Sequence, residues 1–156
     1  MKAPLSVVII VKNEERRLED CLKSVAWAAE IVIVDDMSTD RTLEIASRYT
    51  DKIFKRAMDI EGRHRNFGYS KASQDWVLSI DADEQVTAEL AGEIRGVVSS
   101  GGPRDGYLVP RRNFFGGTWV RHGGWYPDYT LRLFRRGKGQ FAERRVHEAV
   151  TLNGGR

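Results

Sequence analysis

Three apolar runs in this sequence each end abruptly in polar and acidic residues. The runs are 7–11, 31–34 and 76–80, and the residues that follow them are 12–15, 35–36 and 81–84. Runs that are apolar on both faces are typical of parallel strands covered by helices, whereas half-exposed strands alternate between apolar and polar residues. Because ligands of such sheets bind at the carboxyl ends of the strands, we expect the acidic residues to gather at a binding edge.

Residues at helical spacing separate these runs. A first helix within 16–29 is predicted by Leu18, Cys21, Leu22 and Val25, which also makes Cys21 a core residue. A second helix is predicted after an N-cap cluster at 38–40, followed by a short strand at 53–54 and helices at 61–72 and 87–99. This alternation predicts an α/β fold with a mostly parallel central sheet flanked by helices.

The character of the chain changes after residue 100. Short aromatic and basic segments separated by glycines predict strands at 107–110, 118–120, 131–134 and 146–148. We therefore expect one domain over 1–156, with 1–100 as a nucleotide-sized half and 101–156 as a small mixed β extension. The final residues resemble a turn that opens into more structure, so we expect a chain truncated at its C-terminus.

Composition and charge narrow the class of protein. A chain of 156 residues with 41% hydrophobic and 30% charged residues can bury a core, and no apolar run reaches membrane-spanning length. The N-terminus acquires charge too early for a signal peptide, so the expected compartment is the cytoplasm. The net charge is only +3, but lysine and arginine crowd the last third. Such a tract suits nucleotide phosphates, an anionic membrane or nucleic acid, or it forms an ordinary solvated face.

The acidic run after the third apolar segment suggests a cation site. In an extended chain, residues two apart point the same way, so Asp81 and Asp83 would present their carboxylates together while Ala82 turns away. Mg²⁺ and Mn²⁺ prefer oxygen ligands and commonly take one or two carboxylates together with phosphate oxygens. The alternative, capping of the helix that begins near Thr87, accounts for Glu84 better than for Asp81.

Common nucleotide-binding motifs are absent. The sequence contains no G-x-G-x-x-G fingerprint and no P-loop, so a metal ion and arginine side chains must meet any phosphate charge. Arg63 and Arg65 are the candidates, because they begin a helix whose N-terminus attracts anions. Asp35 and Asp36 can accept hydrogen bonds from a base or a ribose hydroxyl. The histidines His64, His122 and His147 are too scattered for a zinc motif.

An ordered set of segments resembles a known family. The set consists of Lys12-Asn13-Glu14-Glu15, 34–42 with its Asp35-Asp36 pair, Arg63-x-Arg65-Asn66, Asp81-Ala82-Asp83, 124–128, 131–136 and Val146-His147-Glu148. Together they resemble the family 2 glycosyltransferases with the GT-A fold, a Rossmann-like sheet, and most closely the bacterial lipopolysaccharide core glucosyltransferases. Met37 stands where that family commonly has glycine. We expect the turn there to keep a negative φ or to shift slightly.

The resemblance implies inverting transfer of a sugar from a nucleotide-diphosphate donor, most often UDP-linked, to an acceptor hydroxyl. Donor-binding roles would fall to Asn13, Glu14, Asp35, Asp36, Arg63, Arg65 and Asp81. The Mg²⁺ or Mn²⁺ ligands would be Asp81 and Asp83, with His147 either a further ligand or a structural histidine. Asp128 would be the catalytic base. In this picture 1–100 binds the nucleotide sugar and 101–156 is an incomplete acceptor side.

The implied partners are a UDP-sugar and a glycan or lipid-linked acceptor in cell-envelope or lipopolysaccharide core synthesis. Peripheral contact with the inner face of an anionic membrane is also compatible with the basic tract. Nucleic acid is not expected, because Trp119, Trp125 and Tyr126 are more simply core or acceptor-site aromatics. Two alternatives stay open at this point, a sugar nucleotidyltransferase and a non-catalytic protein or fragment that binds nucleotide sugars.

Overall fold

The computed structural model describes residues 1–112, 114–115, 118–119, 128–143 and 149–154. Its strands are β1 (Ala3–Val11), β2 (Ala28–Asp35), β3 (Ile53–Lys55), β4 (Trp76–Asp81), β5 (Gly106–Arg111), β6 (Phe114–Phe115), β7 (Thr118–Trp119), β8 (Asp128–Arg135), β9 (Gly139–Phe141) and β10 (Val150–Leu152). Its helices are α1 (Leu18–Ser24), α2 (Thr42–Ser47), α3 (Glu61–Ser70) and α4 (Ala88–Ser100).

Six strands form the central sheet in the order β3-β2-β1-β4-β8-β5. The first four strands run parallel, and β8 lies antiparallel between β4 and β5. The register pairs Val11 with Asp35 and Ile10 with Asp81, so strands on both sides of β1 end in an aspartate. The strand order reverses between β1 and β4, and α/β sheets bind ligands at such a crevice.

Both faces of the parallel strands are covered, as their continuous apolar runs predict. On one face Val7, Ile9 and Leu78 pack with buried residues of α1, α2 and α4. On the other face Val8 and Val77 pack with α3 and with the aromatic residues of β8 and β9. The second cluster joins the C-terminal strands to the parallel sheet.

Cys21 has the predicted place in the core. It is fully buried on α1, and its thiol donates a hydrogen bond of 3.6 Å to the carbonyl of Asp81. Burial raises the pKa of the thiol to about 12, so this cysteine is a packing residue and not a reactive nucleophile.

Tight contacts fix α3 between the sheet and the hairpin formed by β9 and β10. A Cβ atom at Gly68 would lie 2.6 Å from Cγ1 of Val8, so glycine permits the close approach of α3 to β1. On the opposite side of α3, the Asn66 amide donates to the carbonyl of Phe141 at 3.0 Å and accepts from its N–H at 2.8 Å. The Asn66 side chain thereby makes the two hydrogen bonds to the backbone of Phe141 that a neighbouring strand would make.

Helix boundaries differ from the predicted ones mainly at α1. The apolar spacing predicted a helix within 16–29, but α1 ends at Ser24 because Trp27 turns back to donate to the Ser24 carbonyl at 2.8 Å and β2 then begins. Helix α4 agrees closely with its prediction: Thr87 is the N-cap and Gly101 ends the helix with φ 80°. Residue 120 and the predicted strand at 146–148 lie outside the described residues. In the described ranges, no helix has the length and apolar character needed to cross a membrane.

Candidate functional site

Two loops at the carboxyl edge of the sheet are bound together by short hydrogen bonds. The loop after β1 reaches the loop after β2 through Asn13, whose N–H donates to Oγ of Ser38 at 2.9 Å and whose Oδ1 accepts from the N–H of Thr39 at 2.8 Å. The N–H of Glu14 donates to Oγ1 of the buried Thr42 at 2.9 Å. These bonds join the loops after β1 and β2 into one platform, which contains the predicted donor-binding residues Asn13 and Glu14.

The expectation for Met37 was wrong. Its φ is 54°, in the left-handed region, as is the φ of Asn13 at 50°. The left-handed turn brings the N–H of Ser38 back to the carboxylate of Asp35, at 3.1 and 3.3 Å from its two oxygens. Methionine accepts here the conformation for which glycine is favoured, because the hydrogen bonds of the platform hold the turn.

The two aspartates after β2 have different surroundings. Asp35 is fully buried, and its carboxylate holds the turn. Asp36 accepts a hydrogen bond of 2.8 Å from the N–H of Met58 and pairs with Nζ of Lys12 at 3.1 Å. The N–H of Met58, opposed by burial and helped by Lys12, lowers the pKa of Asp36. Asp36 therefore stays ionised and joins the loop before α3 to the platform.

The acidic run after β4 forms a turn and is not extended. The N–H of Glu84 donates to the carbonyl of Asp81 at 3.0 Å, which closes the turn, and Ala82 points into the core. The expectation that Asp81 and Asp83 lie side by side on an extended chain was therefore wrong, because the strand ends at Asp81. The Asp83 carboxylate lies 3.7 Å from a guanidinium nitrogen of Arg17.

Arginine side chains surround the Asp81 carboxylate. Arg65 donates to Oδ1 of Asp81 at 2.7 Å, and Arg132 lies 4.0 Å from Oδ2. Burial favours the neutral acid, but the charge of Arg65 and its hydrogen bond outweigh burial and lower the pKa of Asp81. Arg65 is itself buried and also donates to Glu61 at 2.8 and 2.9 Å. The Arg65 guanidinium thus bridges α3 and the end of β4.

Glu84 is not the helix cap that the alternative interpretation assumed. Thr87 caps α4, whereas Glu84 accepts the N–H of Asp81 at 2.8 Å and two hydrogen bonds from Arg132 at 2.9 and 3.1 Å. Burial raises the pKa of Glu84, although the charge of Arg132 opposes this shift.

Arg63 and Arg65 diverge, although both were predicted to meet phosphate. Arg63 pairs with Asp59 at 3.2 Å and with Glu143 at 3.5 Å, on the exposed side of α3. Of these two arginines, only Arg65 reaches the acidic turn. The difference follows from the helical period, since residues two apart lie on different faces of a helix.

Asp128 begins β8 and lies opposite Arg111 of β5. The two side chains form an ion pair of 3.2 Å, and Arg111 also approaches Glu84 at 3.8 Å. A cleft of about 770 Å³ opens between α4 and β5, and its lining includes Asp81, Asp83, Glu84, Leu90, Arg111 and Phe114. The fold thus brings the acidic turn and Arg111, the ion-pair partner of the predicted base, to one cleft.

Of the predicted metal ligands, the structure describes Asp81 and Asp83 but not His147. Asp81 and Asp83 belong to one turn, whereas His147, like His122, lies outside the described residues. Among the residues that the structure describes, no cluster of three or more histidine, cysteine, aspartate or glutamate side chains could hold a metal ion. A site with fewer protein ligands, completed by phosphate oxygens, would use Asp81 and Asp83 alone.

Three arginines of the basic tract donate hydrogen bonds to other parts of the fold. Arg132 meets Glu84, Arg135 donates to the carbonyls of Gly101 and Gly102, and Arg136 donates to the carbonyl of Gln74 at 3.0 Å. Arg132 and Arg135 are therefore directed into the fold, whereas Arg136 stays exposed. Sequence reasoning missed Arg17, Arg111 and Arg132 as site residues, because each meets its acid only after the strands and helices assemble. It also missed Glu61, which pairs with Arg65 one turn along α3.

Comparison with known proteins identifies relatives of this arrangement. The family model "Glycosyl transferase family 2" matches residues 6–150. The lipopolysaccharide core biosynthesis glycosyltransferase LpsC of Rhizobium meliloti (strain 1021) is 33% identical over 98% of this chain and 59% of its own length. The crystal structure of Staphylococcus aureus TarS 1-349 in complex with UDP superposes with a TM-score of 0.68 and 23% identity, over 92% of this chain and 51% of that one.

These comparisons confirm the predicted fold, because TarS shares the mostly parallel sheet with flanking helices. A second TarS 1-349 structure, in complex with UDP-GlcNAc, gives a TM-score of 0.61 and 26% identity over 78% of this chain and 37% of that chain. The chain spans about three fifths of the length of LpsC.

Proposed function

Because this chain belongs to glycosyl transferase family 2, we propose that it transfers a sugar from a UDP-linked donor to an acceptor hydroxyl with inversion at the anomeric carbon. One observation carries the proposal: the crevice between β1 and β4, where the strand order reverses, is bordered by Asp35 and Asp81 in the register of the sheet. The names of LpsC and TarS and the UDP complex of TarS support a nucleotide-sugar donor and a glycan acceptor.

The acceptor is proposed to belong to cell-envelope glycan or lipopolysaccharide core synthesis, which agrees with the name of LpsC. The donor is proposed to be a UDP-hexose. Peripheral contact with an anionic membrane stays a prediction, and the inward use of Arg132 and Arg135 leaves fewer arginines for it.

The residues at the turn fit a Mg²⁺ or Mn²⁺ ion. Asp81 and Asp83 supply hard oxygen ligands, and their side chains keep 33% and 49% of their surface exposed. When bound, such an ion neutralises charge that develops on the departing diphosphate. Asp81 and Asp83 would hold the ion, and His147 stays a predicted further ligand.

In this proposal the donor is held by residues after β1 and at the end of β2, together with Arg65 of α3. Asn13, Glu14, Asp35 and Asp36 form the nucleoside end. Of the two predicted arginines, Arg65 is better oriented to assist the leaving diphosphate, because it already lies 2.7 Å from Asp81. Its guanidinium carries a fixed positive charge there, which favours the transition state because negative charge grows on the leaving diphosphate as the bond to the sugar breaks.

Asp128 is proposed to be the catalytic base. As the acceptor oxygen attacks the anomeric carbon, its proton passes to the Asp128 carboxylate and the bond between the sugar and UDP breaks, so a single displacement inverts the carbon. Arg111 lies 3.2 Å from this carboxylate on the neighbouring strand β5.

Calorimetry with UDP and UDP-glucose, with and without MnCl₂, tests donor binding, and release of UDP tests transfer. We expect metal-dependent binding in the wild type and a loss of at least about tenfold in affinity for Asp81→Asn and for Asp83→Asn. Asp51→Asn is the control, because this exposed residue precedes β3 at the opposite edge of the sheet.

Unchanged metal dependence in both site variants would exclude the metal role. Donor binding without UDP release would instead favour the second candidate, a nucleotide-sugar-binding protein without transfer activity.

A further inference from the structure

The pairing of β5 with β8 contains one irregularity, and it falls at Arg132. Tyr107 pairs with Leu133, but the next residue, Leu108, pairs with Leu131. Arg132 is therefore an extra residue on β8, a β-bulge. Bulges redirect a side chain and are frequent beside active sites.

The redirected side chain reaches the end of β4. The Arg132 guanidinium forms two hydrogen bonds with Glu84, at 2.9 and 3.1 Å, and donates to the carbonyl of Ser79 at 3.2 Å. Only 12% of the Arg132 side chain is exposed, so these contacts are shielded from water. A shielded guanidinium with two parallel bonds to one carboxylate is a strong and directional contact.

Glu84 transmits this contact to Asp81. Its Oε2 atom, which accepts from Arg132, also accepts the backbone N–H of Asp81 at 2.8 Å. The turn is closed from its other end by the N–H of Glu84, which donates to the Asp81 carbonyl at 3.0 Å. Both backbone polar groups of Asp81 are thus used within a turn that Arg132 anchors to β8.

We propose that Arg132 is a positioning residue: through Glu84 it holds the 81–84 turn so that the Asp81 carboxylate faces the donor diphosphate. This inference rests on the proposed function for the role of Asp81. Arg132 touches neither donor nor acceptor in this proposal. It connects the C-terminal strands to the donor site, so that β8 must be paired before the acidic turn has its active geometry.

Hydrogen exchange of the unliganded protein tests the anchor itself. In Arg132→Gln, which loses the bidentate fork, the amide of Asp81 is expected to exchange at least about tenfold faster than in the wild type. Arg132→Lys keeps the charge but not the fork, so its exchange rate is expected to lie between the two. The matched control is Arg136→Gln, an exposed arginine of the same segment that donates to the Gln74 carbonyl away from the turn.

Metal-dependent UDP binding tests the positioning role. We expect Arg132→Gln to weaken UDP affinity in the presence of MnCl₂ by about 10- to 100-fold, as substitutions behind metal ligands usually do. The Arg132→Lys variant should recover part of this loss. Thermal unfolding of each variant and of the Arg136→Gln control checks that all of these proteins are folded.

Two outcomes overturn the inference. If Asp81→Asn loses metal-dependent UDP binding while Arg132→Gln exchanges and binds like the wild type, the positioning role is wrong and the proposed function stands. If the wild type itself binds no UDP with Mn²⁺, the proposed function fails and the positioning role fails with it. A loss in Arg132→Gln that Arg132→Lys partly restores, together with faster exchange at Asp81, supports the inference.

Discussion

Four acidic residues around the candidate site have an arginine partner from another part of the chain. The pairs are Asp81 with Arg65, Asp83 with Arg17, Glu84 with Arg132, and Asp128 with Arg111. Two carboxylates in one turn repel each other unless positive charge lies near them. Guanidinium groups supply that charge within the fold, so the turn can form before any cation or diphosphate arrives.

The proposed role of Asp128 as the base can be tested separately from donor binding. We expect Asp128→Asn to lower kcat for transfer by about 10²- to 10⁴-fold, because the amide cannot take the acceptor proton. UDP affinity should stay unchanged, since Asp128 lies on the β5–β8 side of the site and does not belong to the donor loops. Release of UDP gives kcat, and calorimetry gives the affinity.

Asp105→Asn is the control for this prediction. Asp105 also pairs with an arginine, Arg135 at 3.6 Å, but it precedes β5 and so lies at the other end of that strand from Arg111. A kcat for Asp128→Asn within about threefold of the wild type would contradict the base role.

At the scale of elements, two helices illustrate opposite uses of glycine. Gly68 in α3 faces the sheet, where an added Cβ would lie 2.6 Å from Val8 and 3.0 Å from Val34. Around the corresponding position of Gly96 in α4, no atom beyond the chain neighbours and the backbone of the helix itself lies within 4 Å. The first glycine sets the distance between α3 and the sheet, and therefore the position of Arg65 relative to Asp81. The second has no packing role.

Alanine substitutions at these two glycines should shift stability in opposite directions. Gly68→Ala is expected to lower the free energy of unfolding by about 1–3 kcal/mol, because overpacking outweighs the gain in helix propensity. Gly96→Ala is expected to raise it by about 0.5–1 kcal/mol, since only propensity changes. Urea unfolding followed by circular dichroism measures both, and a stabilised Gly68→Ala variant would contradict the close packing of α3.

At the scale of the whole molecule, one edge of the sheet carries the candidate site, and the opposite edge carries a hydrogen-bond network that stabilises the fold. The carboxyl edge holds the acidic turn and the platform loops. The opposite edge is held by Glu30, a buried residue near the start of β2. Its carboxylate accepts hydrogen bonds from Ser6 of β1 and Lys52, and from both the N–H and the hydroxyl of Ser73 at 2.8 Å. Glu30 thereby connects β1, β2 and the segments that lead into β3 and β4.

This network should make the stability of the protein depend on acid. Burial raises the pKa of Glu30, but hydrogen bonds from Lys52, Ser6 and Ser73 outweigh it and lower the pKa from 4.5 to about 2. A carboxyl whose pKa is lower in the folded state stabilises the fold fully above pH 4.5, and this stabilisation is lost as the pH falls towards 2.

We therefore expect Glu30→Gln to lower the free energy of unfolding by about 2 kcal/mol at pH 7 and by much less at pH 2. Unfolding free energies measured across this pH range test the expectation, with the exposed Glu93→Gln as the control. A cost that is the same at pH 7 and pH 2 would show that the Glu30 charge contributes nothing.

Much of the fold follows from local patterns. Apolar runs predicted β1, β2 and β4 and their parallel pairing, and the spacing after Thr87 predicted α4 almost to the residue. The place of β8 was not predictable in this way. Its insertion between β4 and β5 depends on pairing Trp76 with Arg135 and Leu78 with Leu133, residues far apart in the sequence, for which no local signal exists. The left-handed turn at Met37 was missed for a related reason, because contacts from the neighbouring loop stabilise it.

The sequence by itself determined the central parallel sheet, its family resemblance and which acids stand at the strand ends, because hydrophobic periodicity and strand-end chemistry are local. Only the tertiary structure decided that 81–84 is a turn, that Arg65 and not Arg63 meets Asp81, and that Arg132 anchors Glu84. These are pairings of charges between distant segments. Strand order, register and a one-residue bulge select them, and these features exist only once the sheet has assembled.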